Sequence, residues 1–274
     1  MVGRDRRTRL ARMLRIGCVK YLNARPLIRG WPGEVEFDHP SALCKRLADG
    51  ELDVALVSSF EFLRNPIYRI VDDVSISSDG PVYSVVVAHH GDLSEIKEIE
   101  VDPASQTGVN LLRCLLNERG LNPRFIRAVP GSTGSQPVVS GSLPDAKARF
   151  LIGDQAIRFR QSRAGEFQFW DLGEQWKDLI GLPFVYALWL IRPKVADSRQ
   201  IANRLRALRK ENLSNLDALI AEEKDFNPQF CSRYYRKHLR FSFGEKENKG
   251  LRTFADLCAK HSLLEKRDLA LDLV

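Results

Sequence analysis

The chain has 274 residues, longer than one ordinary core of about 100 to 150 residues and sufficient for two α/β lobes. Its composition, 44% hydrophobic and 28% charged with 13 Pro and 18 Gly, is globular usage and excludes disordered, collagen-like and coiled-coil classes. Lys and Arg outnumber Asp and Glu by 42 to 35, yet residues 1–14 alone carry five Arg (4, 6, 7, 9 and 12) against one Asp, which leaves a nearly neutral body without the broad basic face of a nucleic-acid binder.

The arm is followed by no apolar stretch of signal-peptide length, so no export signal is read. The longest apolar run, Leu182 to Ile191, is interrupted by Pro183 and is too short to cross a membrane. Five widely spaced cysteines (Cys18, Cys44, Cys114, Cys231, Cys258) read as small buried hydrophobes of a reducing compartment. The five histidines show no metal-ligand spacing, and His89-His90 is expected at the surface of a strand end.

In chain order, Arg15 to Lys20 predicts a short strand that breaks into Tyr21-Leu-Asn-Ala-Arg-Pro26. Pro26 disfavours the helical region for Arg25, so Tyr21 to Arg25 is expected as an extended loop. Val35 to Phe37 alternates as a second strand, and Ser41 is expected to cap a helix that ends at Gly50. Leu52 to Val57 predicts a strand delivering Ser58 and Ser59 to a helix start. After the turn Ser77 to Pro81, Val82 to Ala88 reads as a long strand, and Ile99 to Asp102 as another. Ser105-Gln-Thr107 opens a helix from Gly108 to Arg119; Phe125 to Val129 and Phe150 to Ile152 follow as strands on either side of a Gly/Ser/Pro-rich stretch. Gln155 to Gln161 reads as helix, Phe167 to Asp171 as strand, Pro183 to Ile191 as the final strand. The aromatics Phe167, Phe169, Trp170, Phe184, Tyr186 and Trp189 alternate like strand core. Three helices close the chain, at 198–223, 228–239 and 245–261.

Alternating strands and helices predict an α/β fold with a largely parallel sheet, whose ligands sit off the carboxyl ends of the strands. A boundary near residues 90–98 and a return near 177–187 divide the chain into lobe one, 1–92 with 184–274, and lobe two, 93–183. Two crossings between lobes make a clamshell with a cleft.

Four strand ends carry short polar sets: Tyr21 with Asn23, Ser58-Ser59, Ser105 with Thr107, and Gly153-Asp154. Taken singly, a Ser or Thr at a helix start is a cap. Together, hydroxyls and amides beside helix N-termini form a site for a small carboxylate or phosphate. Asp154 reads either as a cleft base or orienter or as the cap of its own helix; Arg25 reads either as a carboxylate partner or as an exposed side chain beside a proline turn. The chain lacks a nucleotide P-loop, a glycine-rich dinucleotide turn after a strand, a His-Glu-x-x-His zinc motif and a Gly-x-Ser-x-Gly elbow.

The segment Arg15-Ile-Gly-Cys-Val-Lys-Tyr-Leu-Asn-Ala-Arg-Pro-Leu27 resembles the opening of the chorismate dehydratases of the futalosine route to menaquinone. Co-linear matches follow at Gly50 to Glu61, Gly80-Pro-Val-Tyr-Ser-Val85, Asp102 to Thr107, Ile152-Gly-Asp154, Asp171-Leu-Gly-Glu-Gln-Trp176 and Gly181 to Val185, covering about residues 15–195. The resemblance implies a two-lobed fold like that of type II periplasmic binding proteins, a cytoplasmic enzyme and a cofactor-free elimination of water from chorismate, a dicarboxylate. It implies catalytic roles for Asn23 and Ser84. It also implies a substrate-binding set of Tyr21, Arg25, Ser59, Ser105, Thr107, Gly108, Gly153 and Asp154, with no metal, nucleic acid or membrane partner. Many relatives carry a Ser where this chain has Gly108, which costs a hydroxyl and keeps the N–H. Two other readings stand beside it. The sibling dihydroxynaphthoate synthases rely on a cleft histidine, and none of His39, His89, His90, His238 or His261 falls in the matched motifs; a non-catalytic carboxylate-binding module shares every capping hydroxyl.

Overall fold

The computed structural model describes residues 14–102, 105–127 and 148–274. The basic arm and most of the Gly/Ser/Pro-rich stretch lie outside the described residues.

Eleven strands form two sheets among the described residues. The first contains β1 (Ile16–Cys18), β2 (Val35–Phe37), β3 (Val54–Ser58) and β4 (Arg69–Ser78). The second contains β5 (Val85–His89), β6 (Glu98–Val101), β7 (Arg124–Arg127), β8 (Ala148–Ile152) and β9 (Gln168–Asp171). The chain then returns to the first with β10 (Phe184–Ile191) and β11 (Asp272–Leu273). The strand orders are β11-β4-β10-β3-β1-β2 and β7-β6-β8-β5-β9. The neighbours of β1 are parallel to it, as are those of β6, whereas β10 runs against β3 and β4, and β5 against β8 and β9. The sheets are therefore mixed where a largely parallel one was expected. The strands that enter a sheet straight from the other lobe are the ones that oppose their neighbours.

The first crossing also differs from expectation. It lies at residues 79–84, because β5 pairs with β8 and β9, so Val85 to His89 belong to the second sheet and not to lobe one. Val82 to Ala88 reads as one apolar strand, but the backbone N–H groups of Val82 and Tyr83 go to the Asp171 carboxylate at 3.0 and 2.7 Å instead of to a ladder. His89 is consequently buried, its Nδ1 on the Gly91 carbonyl at 3.2 Å, and only His90 lies at the surface.

The helices are α1 (Arg25–Ile28), α2 (Pro40–Asp49), α3 (Ser59–Arg64), α4 (Gln106–Glu118), α5 (Gly153–Ser162), α6 (Leu172–Ile180), α7 (Ser198–Ser214), α8 (Leu216–Ala221), α9 (Pro228–Arg233) and α10 (Glu245–Lys260). The long helix expected from Ser198 breaks at Asn215, and the one from Pro228 widens into a π-turn over Tyr234–His238. α2 starts at Pro40 with His39 at the cap position, ahead of the expected Ser41.

The core is continuous across the two sheets. Trp176 of α6, Phe184 of β10 and Phe254 of α10 form a fully buried aromatic triad with centroids 4.9 to 6.1 Å apart. Edge-to-face pairs of this kind add to what their buried area contributes. α10 thereby packs on both β10 and α4, tying the C-terminal helix to both lobes. All five cysteines are free and buried. Phe184 and Trp189 are buried as expected of strand core, while Phe167, Phe169 and Trp170 are half-buried.

Candidate functional site

The residues after β1 fold locally as a 3₁₀ turn, Leu22–Ala24, that runs directly into α1. Arg25 is helical (φ −54°, ψ −43°), not extended as expected. Pro26 sits in the first turn of α1, where an N–H would have no intrahelical partner, so the ring is tolerated and its preference over Arg25 is overridden. Two contacts from distant segments hold the turn. Leu22 N–H donates to Asp154 Oδ1 at 2.8 Å, and the Tyr235 hydroxyl donates to the Leu22 carbonyl at 2.8 Å. The turn aims Asn23 into the space between the lobes, where its buried Oδ1 finds no partner among the described residues.

At the end of β3 the starts of α3 and α4 interlock. Thr107 N–H donates to Ser58 Oγ at 3.1 Å, Phe60 N–H donates to Thr107 Oγ1 at 3.0 Å, and the two side-chain hydroxyls of Ser58 and Thr107 are also bonded. Ser59 donates to the Val185 carbonyl at 2.7 Å, and its hydroxyl lies 3.3 Å from Thr107 Oγ1. Thr107 therefore fastens the second lobe to the first. Ser105 stands at the N-cap of α4 without its side chain capping the helix. Beside it, Gln106 Oε1 is buried without a partner among the described residues.

Ser84 arrives on the crossing segment. Tyr83 before it has φ +69°, a left-handed backbone uncommon for a bulky residue and held here by neighbours. The holder is Asp171, the N-cap of α6, whose carboxylate accepts from Val82, Tyr83, Gly173 and Glu174 N–H at 2.7 to 3.3 Å and faces Arg160 at 3.4 Å. The Ser84 carbonyl accepts from Gly153 N–H at 2.8 Å, and Ser84 Oγ accepts from the Tyr234 hydroxyl at 2.6 Å.

These elements line a solvent-open cleft of about 690 Å³, its polar wall formed by Tyr21, Asn23, Ser58, Ser84, Ser105, Gln106, Thr107, Gly108 and Gly153. Val19, Leu56, Ile76, Val82 and Ile152 supply its apolar wall, and Tyr186 the far side. Of the residues expected from sequence, Tyr21, Asn23, Ser84, Ser105, Thr107, Gly108 and Gly153 come together. Gly108 lies so close to Phe150 that an added Cβ would sit 2.7 Å from its ring.

Three expected residues do not line it. Arg25 forms an ion pair with buried Glu223, Ser59 serves the β10 backbone, and Asp154 is committed to Leu22 N–H. Nor does Asp154 cap its own helix: α5 begins at Gly153 with Ile152 at the cap. Burial raises the Asp154 carboxyl to about 6. No Lys, Arg or His of the described residues lines the cleft; His39 faces a neighbouring hollow and lies 3.7 Å from Asp102, while His238 bonds the Pro81 carbonyl.

Sequence reasoning placed Ser58 and Ser59 together at the strand end but carried only Ser59 into the binding set, and it missed Gln106, Tyr186 and Tyr234. Ser58 was recoverable from strand alternation, since the last strand residue shares a face with Leu56. Tyr234 carries no local signal: it meets Ser84 across 150 residues of chain.

A cleft between two α/β lobes, walled by strand ends and the start of a 13-residue helix, defines a protein of the periplasmic-binding-protein fold. Solved structures agree. A protein of Archaeoglobus fulgidus superposes with a TM-score of 0.66 at 15% identity, covering 92% of this chain and 98% of that one. The periplasmic aliphatic sulphonate binding protein of Escherichia coli superposes at 0.59 and 15% identity, with 94% of each chain covered. Residues 14–260 match the menaquinone biosynthesis family, and the chain belongs to that family. Two relatives named chorismate dehydratase are similar over nearly their whole length. That of Thermus thermophilus is 29% identical over 261 residues (88% of this chain, 93% of the relative), and that of Campylobacter jejuni 24% identical over 240 (87% and 90%). Among the described residues no helix is long and apolar enough to cross a membrane, and no group of three His, Cys, Asp or Glu is placed to hold a metal ion.

Proposed function

We propose that this protein is a cytoplasmic carbon–oxygen lyase that removes water from chorismate to give 3-(1-carboxyvinyloxy)benzoate. The observation that carries the reading is the convergence of Asn23, Ser84 and the start of α4 on one cleft, in a member of the menaquinone biosynthesis family.

The reaction breaks the bond from a ring carbon to its hydroxyl and removes a hydrogen from the neighbouring ring carbon; the hydroxide and that proton leave together as water. Aromatisation of the ring drives it. The protein's task is to hold a dicarboxylate in an elimination-ready geometry, keep bulk water out and stabilise the departing hydroxide. Apart from that of Thr107, which Ser58 takes, the N–H groups in the first turn of α4 have no partners inside the helix and carry partial positive charge, which suits one carboxylate even though no cationic side chain of the described residues lines the cleft.

Ser84, already accepting from Tyr234, has its own proton left to donate to the departing hydroxyl. Asn23 Oδ1, without a partner among the described residues, holds the substrate beside it. Asp154 is engaged with Leu22, so the proton acceptor in this reading is a carboxylate of the substrate itself. A dihydroxynaphthoate synthase would be expected to use a cleft histidine, which the described lining lacks.

The test is to incubate purified protein with chorismate without added metal or cofactor and follow loss of one water by chromatography with mass detection. Chorismate that binds and returns unchanged would leave a carboxylate-binding module.

A further inference from the structure

We infer that Tyr234 is a positioning residue that fixes the Ser84 hydroxyl as a donor into the cleft; the consequence for turnover rests on the dehydratase function proposed for the cleft. Tyr234 is fully buried, and its hydroxyl lies 2.6 Å from Ser84 Oγ. A serine hydroxyl has one proton and two lone pairs, so the direction of this bond decides what Ser84 can offer a ligand. If Ser84 donated to Tyr234, it would present only lone pairs to the cleft, the wrong polarity for a departing hydroxide.

The geometry of the bond gives the opposite direction: the Tyr234 hydroxyl donates to Ser84 Oγ, which leaves the Ser84 proton for the cleft that Ser84 lines. The two side chains thus form one chain of donors running Tyr234 to Ser84 to ligand, and such chains strengthen their own terminal donor. Burial is the main cause that pushes the Tyr234 phenol well above its usual range, so it keeps its proton throughout the working pH range. Its ring stacks on Phe230 at 5.5 Å, and that stack survives removal of the hydroxyl alone.

The experiment compares Tyr234→Phe, Ser84→Ala and the double variant on chorismate. Tyr234→Phe is expected to lower kcat by roughly 10- to 100-fold with KM within about threefold, as loss of a preorganised donor does, and to add nothing in the Ser84→Ala background. An equal further loss in that background, or a change confined to KM, overturns the inference. A substrate-free readout separates it from the dehydratase function: carbon-13 at the hydroxyl-bearing ring carbon of tyrosine reports the Tyr234 hydroxyl proton by NMR. A slowly exchanging proton whose signal shifts in Ser84→Ala supports the ordered pair even if chorismate is not consumed. A Tyr234 signal unmoved by Ser84→Ala overturns it whatever the substrate.

Discussion

The Tyr83 N–H donates to the Asp171 carboxylate at 2.7 Å, across 88 residues of chain, and this bond holds Tyr83 left-handed and so sets where Ser84 points. Asp171→Asn turns an N–H donor toward Tyr83 or Val82 in place of an acceptor and leaves at least one buried backbone group unsatisfied. The expected cost is about 2 to 3 kcal/mol of stability. Because Ser84 moves with Tyr83, kcat on chorismate is expected to fall further than the change in unfolded fraction explains. Urea unfolding together with kcat at a temperature where the variant is folded checks both.

Gly153 has φ +58°, and a Cβ there would lie 3.0 Å from the Tyr21 ring. Gly153→Ala is expected to lose roughly 1 to 2 kcal/mol to the left-handed backbone and to push Tyr21 toward the ligand. A lowered melting temperature with a raised KM for chorismate is the predicted pair. An unchanged KM in a folded variant would remove Tyr21 from the binding wall.

Asp154 gives a pH signature. Burial holds its folded-state carboxyl at about 6, above the ordinary value of 3.8, so the folded chain binds its proton more tightly than the unfolded chain. Stability from this group is therefore greatest below pH 4 and declines as pH rises from about 4 to 6, by about 3 kcal/mol. Asp154→Asn keeps an oxygen for Leu22 N–H and removes the titration. Its melting temperature relative to the parent is expected to rise across that window and to level off above it. With a substrate carboxylate taking the ring proton, turnover survives the substitution; abolished turnover with intact binding would make Asp154 the base.

The strand ends were legible because their chemistry is local. Asn23 follows a strand that stops, Ser105 and Thr107 precede an apolar 3.6-residue period, and Gly153 ends a short apolar run; each placement needs only neighbours in sequence. What was illegible depends on partners far along the chain. Arg25 was open to a ligand until its ion pair with Glu223 became visible, and Asp154 until Leu22 claimed it. The apolar run Val82 to Ala88 hides the crossing between lobes, since only the distant Asp171 draws Val82 and Tyr83 out of the strand. Tyr234 lies in the C-terminal helices, where the sequence shows helical periodicity and nothing that marks one tyrosine among its neighbours.

Whether the cleft at Asn23 and Ser84 dehydrates chorismate is decided by assaying the parent protein, Asn23→Ala and Ser84→Ala side by side for product and, by calorimetry, for chorismate binding. The parent is expected to form 3-(1-carboxyvinyloxy)benzoate and each variant to form it at least about 100-fold more slowly, with binding retained within roughly tenfold. Variants that turn over chorismate as fast as the parent would take the chemistry away from these two side chains, and a parent that binds chorismate and returns it unchanged would take it away from the cleft.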